Sequence, residues 1–188
     1  MKRARVAARL AAYNVGMKKR VYLETSVISY LTARPSRDLV TAANQQITRE
    51  WWESRRNDFD LVVSRYVKAE VGGGDPDAAR ARIDQLAGIE ELPDHPGIEA
   101  LAKILCSRSA LPVKAYVDAL HVAAAAVASV DFLLTWNCKH IANAETLGLI
   151  ESVCREVGYH PPQICTPYGL LGDQSDDRFD DLSSEPGL

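Results

Sequence analysis

The sequence has few cysteines, and the four that occur among its 188 residues are widely and irregularly spaced. They match no zinc-site spacing, and a chain with 47% hydrophobic residues can build a core without disulfide bonds. A P-loop and a G-x-S-x-G motif are also missing, and no Cys–His pairing suggests covalent catalysis. These absences argue against a zinc finger, a disulfide-rich scaffold, a P-loop NTPase and a serine hydrolase.

A long hydrophobic run is missing as well. The longest apolar stretch is interrupted by Asp118 and His121, and no run approaches the roughly 18–20 residues that cross a membrane. Residues 1–16 are basic and rich in alanine, but they lack the continuous apolar segment and the cleavage site of a secretory signal. We therefore expect a cytoplasmic protein with no membrane partner.

Charge is small in total and unevenly distributed, with a formal net charge of −3. Residues 173–188 hold six acids against Arg178, whereas residues 1–16 hold four basic residues and no acid. The body between them is consequently close to neutral. This balance argues against nucleic-acid binding through a basic field that covers the whole protein, although local basic patches stay compatible with it.

Composition divides the chain into three parts. Residues 17–172 have the length and apolar content of one domain. The acidic tail, residues 173–188, has few apolar residues and is expected to be disordered. For residues 1–16 two interpretations stay open: a basic, disordered arm, or a start codon assigned too early. The second is favoured because Met17 directly precedes the first strand pattern.

Within residues 17–172, patterns typical of strands alternate with patterns typical of helices. This alternation predicts a single α/β domain, in which an open parallel sheet carries helices on both faces. The functional crevice of such a sheet lies beyond the carboxyl ends of its strands. The predicted strands are 20–23, 60–63, 89–92, 132–135 and 163–165. One helix is predicted to be capped by Thr25 or Ser26. Others are predicted to begin after Asp38, after Ser64 and at Pro76, and to span 96–107, 113–128 and 144–157.

Four polar residues are candidates for this crevice. Glu24 and Asn137 follow predicted strands, whereas Glu70 and Asp118 lie in helices that come after such strands. Asp118 interrupts an almost wholly apolar helix, where an ionised carboxylate is costly unless it is paired or binds a metal. Taken singly, each acid has a simpler interpretation: a turn residue, a solvated helix face, or a favourable charge near a helix N-terminus. Together, several carboxylates without convergent histidine or cysteine favour Mg²⁺ or Mn²⁺.

Four segments resemble the signature segments of PIN-domain nucleases, and most of all the VapC-type toxins of bacterial toxin–antitoxin pairs. The segments are VYLETSVISYL, SRYVKAEV, YVDALHVAAA and FLLTWNCKHI, and the similarity runs from about residue 20 to residue 171. The resemblance implies a sheet of strand order 3-2-1-4-5 and metal-dependent cleavage of RNA. It also implies a homodimer and a small antitoxin protein as partner.

The resemblance also assigns roles to residues. It implies that Glu24, Glu70, Asp118 and Asn137 are catalytic, that the first three bind Mg²⁺ or Mn²⁺, and that Thr135 supports them. Two positions depart from the usual PIN pattern: Glu24 stands where aspartate is common, and Asn137 is neutral where a fourth acid often occurs. The departures favour one metal ion over two. They also keep an alternative open, a catalytically silent PIN module that binds RNA or protein.

A few further residues have two interpretations each. Lys139 and His140 follow Asn137 and are candidates for contact with RNA phosphate. Trp136 is a candidate for stacking on a base, with packing beneath the loop as the equal alternative. His121 lies three residues after Asp118; we expect a partly buried packing residue, and the alternative is a proton shuttle or a phosphate contact.

Overall fold

The computed structural model describes residues 17–172, which form one α/β domain around a five-stranded, all-parallel sheet. The strand order is β3-β2-β1-β4-β5, so the predicted fold class and the order 3-2-1-4-5 are confirmed. Predictions for residues 1–16 and 173–188 lie outside the described residues. The strands are β1 (Lys19–Leu23), β2 (Phe59–Val63), β3 (Glu90–Glu91), β4 (Phe132–Leu134) and β5 (Gln163–Cys165).

Seven α-helices connect these strands in the described part of the chain, and they form two groups. Helices α1 to α4 pack on one another, and α5 packs on α6 and α7. Right-handed crossovers in a sheet of this order place the two groups on opposite faces. The helices are α1 (Thr25–Thr32), α2 (Leu39–Ser54), α3 (Arg65–Val71), α4 (Pro76–Gln85), α5 (Pro96–Ser107), α6 (Tyr116–Val127) and α7 (Ala144–Glu156).

The core lies along the central strands and helix α6. Tyr22 of β1 pairs in register with Val62 of β2 and Leu133 of β4, and all three side chains are fully buried. Helix α6 is buried continuously from Ala119 to Ala126, which explains its run of small apolar residues. Because β1 and β4 are neighbours, the residues that follow them emerge side by side at the carboxyl edge of the sheet.

Most predicted elements are confirmed, and the helix starts show where local rules succeed. Asp38 accepts a hydrogen bond from the backbone of Thr41, and Asp75 accepts one from Ala78, as expected for N-cap residues. Helix α5 has the predicted bounds. The predicted helix 113–128 is divided into a short 3₁₀ turn (Val113–Ala115) and α6.

The prediction that Thr25 or Ser26 caps α1 is wrong, because Glu24 is the N-cap residue. Glu24 has extended backbone angles, and its side chain makes no capping hydrogen bond. The hydroxyls of Thr25 and Ser26 instead donate to carboxylates, Thr25 to Glu70 and Ser26 to Glu24. At the start of α1, the hydroxyl groups therefore form hydrogen bonds to acidic side chains and do not cap the free backbone N–H groups of the helix.

The sheet ends on one side in β3, which has only two residues. Both are exposed glutamates that form ion pairs, Glu90 with Arg20 at 2.8 Å and Glu91 with Lys68 at 2.6 Å.

No helix within residues 17–172 has the length and apolar character that a membrane crossing requires.

Candidate metal centre

Three side chains from different elements converge at the carboxyl edge of the sheet. Glu24 directly follows β1, and its backbone N–H continues the sheet by donating to Leu134 at 3.0 Å. Glu70 lies on α3 and His121 on α6, two helices that contact each other. One potential ligand atom from each of Glu24, Glu70 and His121 lies within 4.8 Å of the others. The predicted residues Glu24 and Glu70 are thus brought together, with His121 beside them.

The carboxylate of Glu24 is held in a buried position, with 6% of the residue exposed. Its Oε2 atom accepts a hydrogen bond from Thr135 at 2.7 Å and another from Ser26. Ser26 also accepts the backbone N–H of Trp136 at 2.8 Å, so the hydroxyl links the start of α1 to the loop after β4. These contacts fix the side chain of Glu24 between two neighbouring strand ends.

The carboxylate of Glu70 is held in a comparable way. Its Oε2 atom accepts from Thr25 at 2.5 Å and pairs with Nε2 of His121 at 2.8 Å. The hydrogen bond to His121 is the largest cause that holds the pKa of Glu70 below its ordinary value, and the bond from Thr25 acts in the same direction against partial burial. Glu70 is therefore an ionised carboxylate at neutral pH.

Asp118 lies in the first turn of α6, half-buried, and outside the compact group of three. Burial is the largest influence on this carboxyl group and raises its pKa above the ordinary value. A hydrogen bond with the Asn137 side chain and the proximity of His140 oppose that rise, whereas the charge of Glu70 adds to it. Asp118 is thus close enough to Glu70 for the two charges to interact, and a cation between them would reduce the repulsion of their like charges.

Asn137 holds the loop after β4 in place. Its Oδ1 atom accepts the backbone N–H of His140 at 3.1 Å, and its own backbone N–H donates to Thr135 at 2.9 Å. Its side chain also interacts with the carboxyl group of Asp118 and acts to lower the pKa of that group. This geometry favours a role for Asn137 in positioning Asp118.

The donor set fits a hard divalent cation. Within residues 17–172, the hydrogen bonds to Glu24 and Glu70 all end on Oε2, which leaves Oε1 of each carboxylate available as a ligand. Carboxylate oxygens are the ligands that Mg²⁺ and Mn²⁺ prefer, and hydrogen-bonded partners behind them are typical of metal sites. Asp118 is a third carboxylate, whose charge interacts with that of Glu70.

The three residues considered for RNA contact occupy different environments. Lys139 is exposed, and His140 is partly exposed close to Asp118. Trp136 is stacked on Tyr30 with ring centroids 6.0 Å apart, and its Nε1 atom donates to the buried Thr48 at 2.7 Å. Trp136 therefore packs against helices α1 and α2, and stacking on a base stays a prediction that this geometry does not support.

Sequence reasoning missed the importance of His121, Thr25 and Ser26. His121 is fully buried, more than expected, and both ring nitrogens form hydrogen bonds to side chains. Its polarity on an apolar helix, beside Asp118, is the signal that marks it in the sequence. Thr25 and Ser26 follow Glu24 directly, but hydroxyl residues at a helix start are more often caps.

No family model and no curated protein matches this sequence. Among solved structures, the chain is similar to the crystal structure of Mycobacterium tuberculosis VapC20, a Sarcin-Ricin loop cleaving toxin. The two share 16% sequence identity with a TM-score of 0.48, and the match covers 66% of this chain and 95% of VapC20. The fold of this chain rests on its own strand order and parallel pairing.

Proposed function

We propose that this protein is a metal-dependent endoribonuclease that hydrolyses RNA phosphodiester bonds with Mg²⁺ or Mn²⁺. The observation that carries the proposal is the pair of carboxylates, Glu24 and Glu70, held through Oε2 within 4.8 Å of each other. Asp118 adds a third carboxylate, close enough to Glu70 for their charges to interact. The segments around these residues are those that resemble PIN-domain nucleases.

A bound divalent ion would stabilise the charge that develops on the phosphodiester and promote the ionisation of an attacking water. Glu24, Glu70 and Asp118 hold that ion in the proposal, and Thr135 and Ser26 fix the orientation of Glu24. The three carboxylates supply enough negative charge for one ion. Asn137 positions Asp118 without adding a charge, which favours a single ion over two.

Substrate and partners follow from the same proposal. Lys139 and His140 follow Asn137 in the loop after β4, where His140 lies close to Asp118, and both would contact the RNA phosphates. The resemblance to VapC-type toxins leads us to propose a toxin of a toxin–antitoxin pair, cytoplasmic and homodimeric, whose small antitoxin covers the crevice. A neighbouring gene for a small protein would support the toxin assignment.

Cleavage of RNA by the purified full chain tests the enzymatic part. Labelled single-stranded RNA and a sarcin–ricin stem-loop would be incubated with the protein and Mn²⁺, or with EDTA. Wild-type protein should cleave only with Mn²⁺, and Asp118→Asn should reduce the rate about 100-fold or more, since several kcal/mol of charge stabilisation depend on the metal site. Asp84→Asn, an exposed carboxylate on α4, is the matched control and should keep wild-type activity.

The outcome separates the enzyme from its alternative. Equal background cleavage by the wild type and by Asp118→Asn would exclude the nuclease and leave a module that binds without cutting. In that case, retention of RNA on the wild-type protein in a gel-shift experiment would identify RNA as the bound partner.

A further inference from the structure

His121 is fully buried in α6, and neither of its ring nitrogens is free. Nε2 lies 2.8 Å from Oε2 of Glu70, and Nδ1 lies 2.8 Å from the hydroxyl of Tyr22. The Tyr22 hydroxyl is in turn 2.6 Å from the hydroxyl of Ser64. A continuous hydrogen-bond chain therefore runs from Ser64, at the end of β2, through Tyr22 and His121 to Glu70.

The rules for hydrogen-bond donors and acceptors fix the direction of each bond in this hydrogen-bond chain. An ionised carboxylate can only accept, so Nε2 of His121 carries the proton that it shares with Glu70. In the neutral imidazole, Nδ1 then has a lone pair and must accept from the hydroxyl of Tyr22. Tyr22 is the donor in this contact, because a tyrosine hydroxyl carries its proton at neutral pH. Its oxygen accepts from Ser64, so every proton points toward Glu70.

This arrangement removes His121 from the set of available metal ligands, although it belongs to the compact group with Glu24 and Glu70. A metal ion needs an imidazole lone pair, and the only one in this tautomer is occupied by Tyr22. A histidine that forms a hydrogen bond to a ligating carboxylate instead lies behind the ligand. Such a residue orients the carboxylate and raises the affinity of the site for the metal ion.

We propose that His121 is a positioning residue that holds Glu70 for the divalent ion, with its imidazole ring kept in place by the hydrogen bonds of Tyr22 and Ser64. This inference rests on the proposed metal-dependent function, and it explains how the protein holds Glu70 in place as one ligand of that site. The hydroxyl of Tyr22 forms hydrogen bonds to Ser64 and His121, and the imidazole links it to Glu70.

Mn²⁺ binding to the full chain tests this without reference to activity. Free Mn²⁺ would be counted by electron paramagnetic resonance for wild type and for Tyr22→Phe, His121→Gln and His121→Leu. Tyr22→Phe and His121→Leu should weaken binding about 10-fold or more, as for other residues behind a metal ligand. His121→Gln keeps an N–H donor for Glu70 and should stay close to the wild type. Circular dichroism and thermal unfolding in EDTA would confirm that each variant is folded.

Two spectroscopic readouts separate positioning from ligation. Nitrogen-15 NMR of the metal-free wild type should show His121 protonated at Nε2, and Tyr22→Phe should shift the Nδ1 resonance, because that nitrogen loses its hydrogen-bond donor. Pulsed electron paramagnetic resonance of the Mn²⁺ complex should show no directly coordinated nitrogen.

Each contrary result has a distinct meaning. A coordinated nitrogen that His121→Leu abolishes would overturn the proposal by making His121 a ligand. Unchanged Mn²⁺ affinity in folded Tyr22→Phe and His121→Leu would also overturn it, while the metal site itself would stand. A wild-type chain that binds no Mn²⁺ would overturn the proposed function and this inference with it.

Discussion

The hydroxyl of Thr135 donates a 2.7 Å hydrogen bond to Glu24 and thereby joins the ends of two neighbouring strands. Thr135 is fully buried, and its oxygen also accepts the backbone N–H of Asn137 at 2.9 Å. A single hydroxyl therefore fixes both a candidate metal ligand and the loop that follows β4.

Thr135→Val tests this relationship, because valine has nearly the same shape but no hydroxyl. The variant leaves the buried Glu24 carboxylate with one donor fewer, so we expect a loss of about 1–3 kcal/mol in the free energy of unfolding. Mn²⁺ affinity should fall about 10- to 100-fold, as expected for a residue behind a ligand. Calorimetric titration and urea unfolding would measure the two effects. Thr135→Ser keeps the hydroxyl and is the control; equal affinity in both variants would contradict the assignment.

Asp118 should make the metal-free protein less stable at neutral pH than its asparagine variant. Burial raises the pKa of Asp118 in the folded state, so the native protein binds more protons than the unfolded chain between the two pKa values. Stability consequently falls as the pH rises through the folded pKa, and the penalty is complete above it. In EDTA at neutral pH, Asp118→Asn should therefore raise the Tm, and the difference should shrink as the pH is lowered.

Thermal unfolding across a pH series, with the exposed Asp84→Asn as control, measures this difference. Added Mn²⁺ should reverse the order, because only the wild type gains stability from binding. A lower Tm for Asp118→Asn than for the wild type in EDTA at neutral pH would show that Asp118 stabilises the fold by itself.

The four cysteines should differ strongly in reactivity toward a disulfide reagent at about pH 8, since the thiolate is the reactive form. Cys138 is exposed in the loop after β4. Burial raises the pKa of Cys154 to about 11 and that of Cys165 to about 12, so both stay protonated. A single fast phase from Cys138 is expected in the native protein. A fast phase that persists in Cys138→Ser would contradict this order of cysteine reactivity.

The sequence was informative where structure depends on neighbours along the chain. Asp38 and Asp75 are N-caps because their side chains reach backbone N–H groups three residues ahead, which is a local rule. The alternation of strands and helices was sufficient for the sheet class, and the PIN resemblance supplied the strand order. Glu24 as an N-cap was missed because glutamate is an unusual cap, and its reason lies across the sheet at Thr135.

The hydrogen-bond chain to Glu70 could not be predicted in the same way. Tyr22 and His121 are separated by 99 positions, and His121 and Glu70 by 51. The pattern of a single sequence indicates that α6 is buried. It does not show which polar atom of a neighbouring strand or helix forms a hydrogen bond to a buried residue of α6. Asp118 was recognised as unusual for its helix, and the same reasoning applied to His121 would have favoured a bonded role over packing.

The central core should dominate stability. Leu133 is fully buried in β4 between Tyr22 of β1 and Ile164 of β5. Leu133→Ala should lower the free energy of unfolding by about 2–5 kcal/mol, because a cavity adds to the lost burial. Leu39→Ala, at a residue that is 86% exposed, should change it by less than about 0.5 kcal/mol. Urea unfolding followed by tryptophan fluorescence measures both, and similar losses in the two variants would place the core elsewhere.

The brevity of β3 has a consequence for how molecules of this protein meet one another. A sheet edge with unpaired backbone groups invites strands from other chains, and natural proteins discourage this with short or charged edges. Here the edge offers two residues, and both carry acids already bound to Arg20 and Lys68. An incoming strand would find almost no backbone to pair with and would have to displace two ion pairs. This side of the sheet is thus protected against edge-to-edge aggregation.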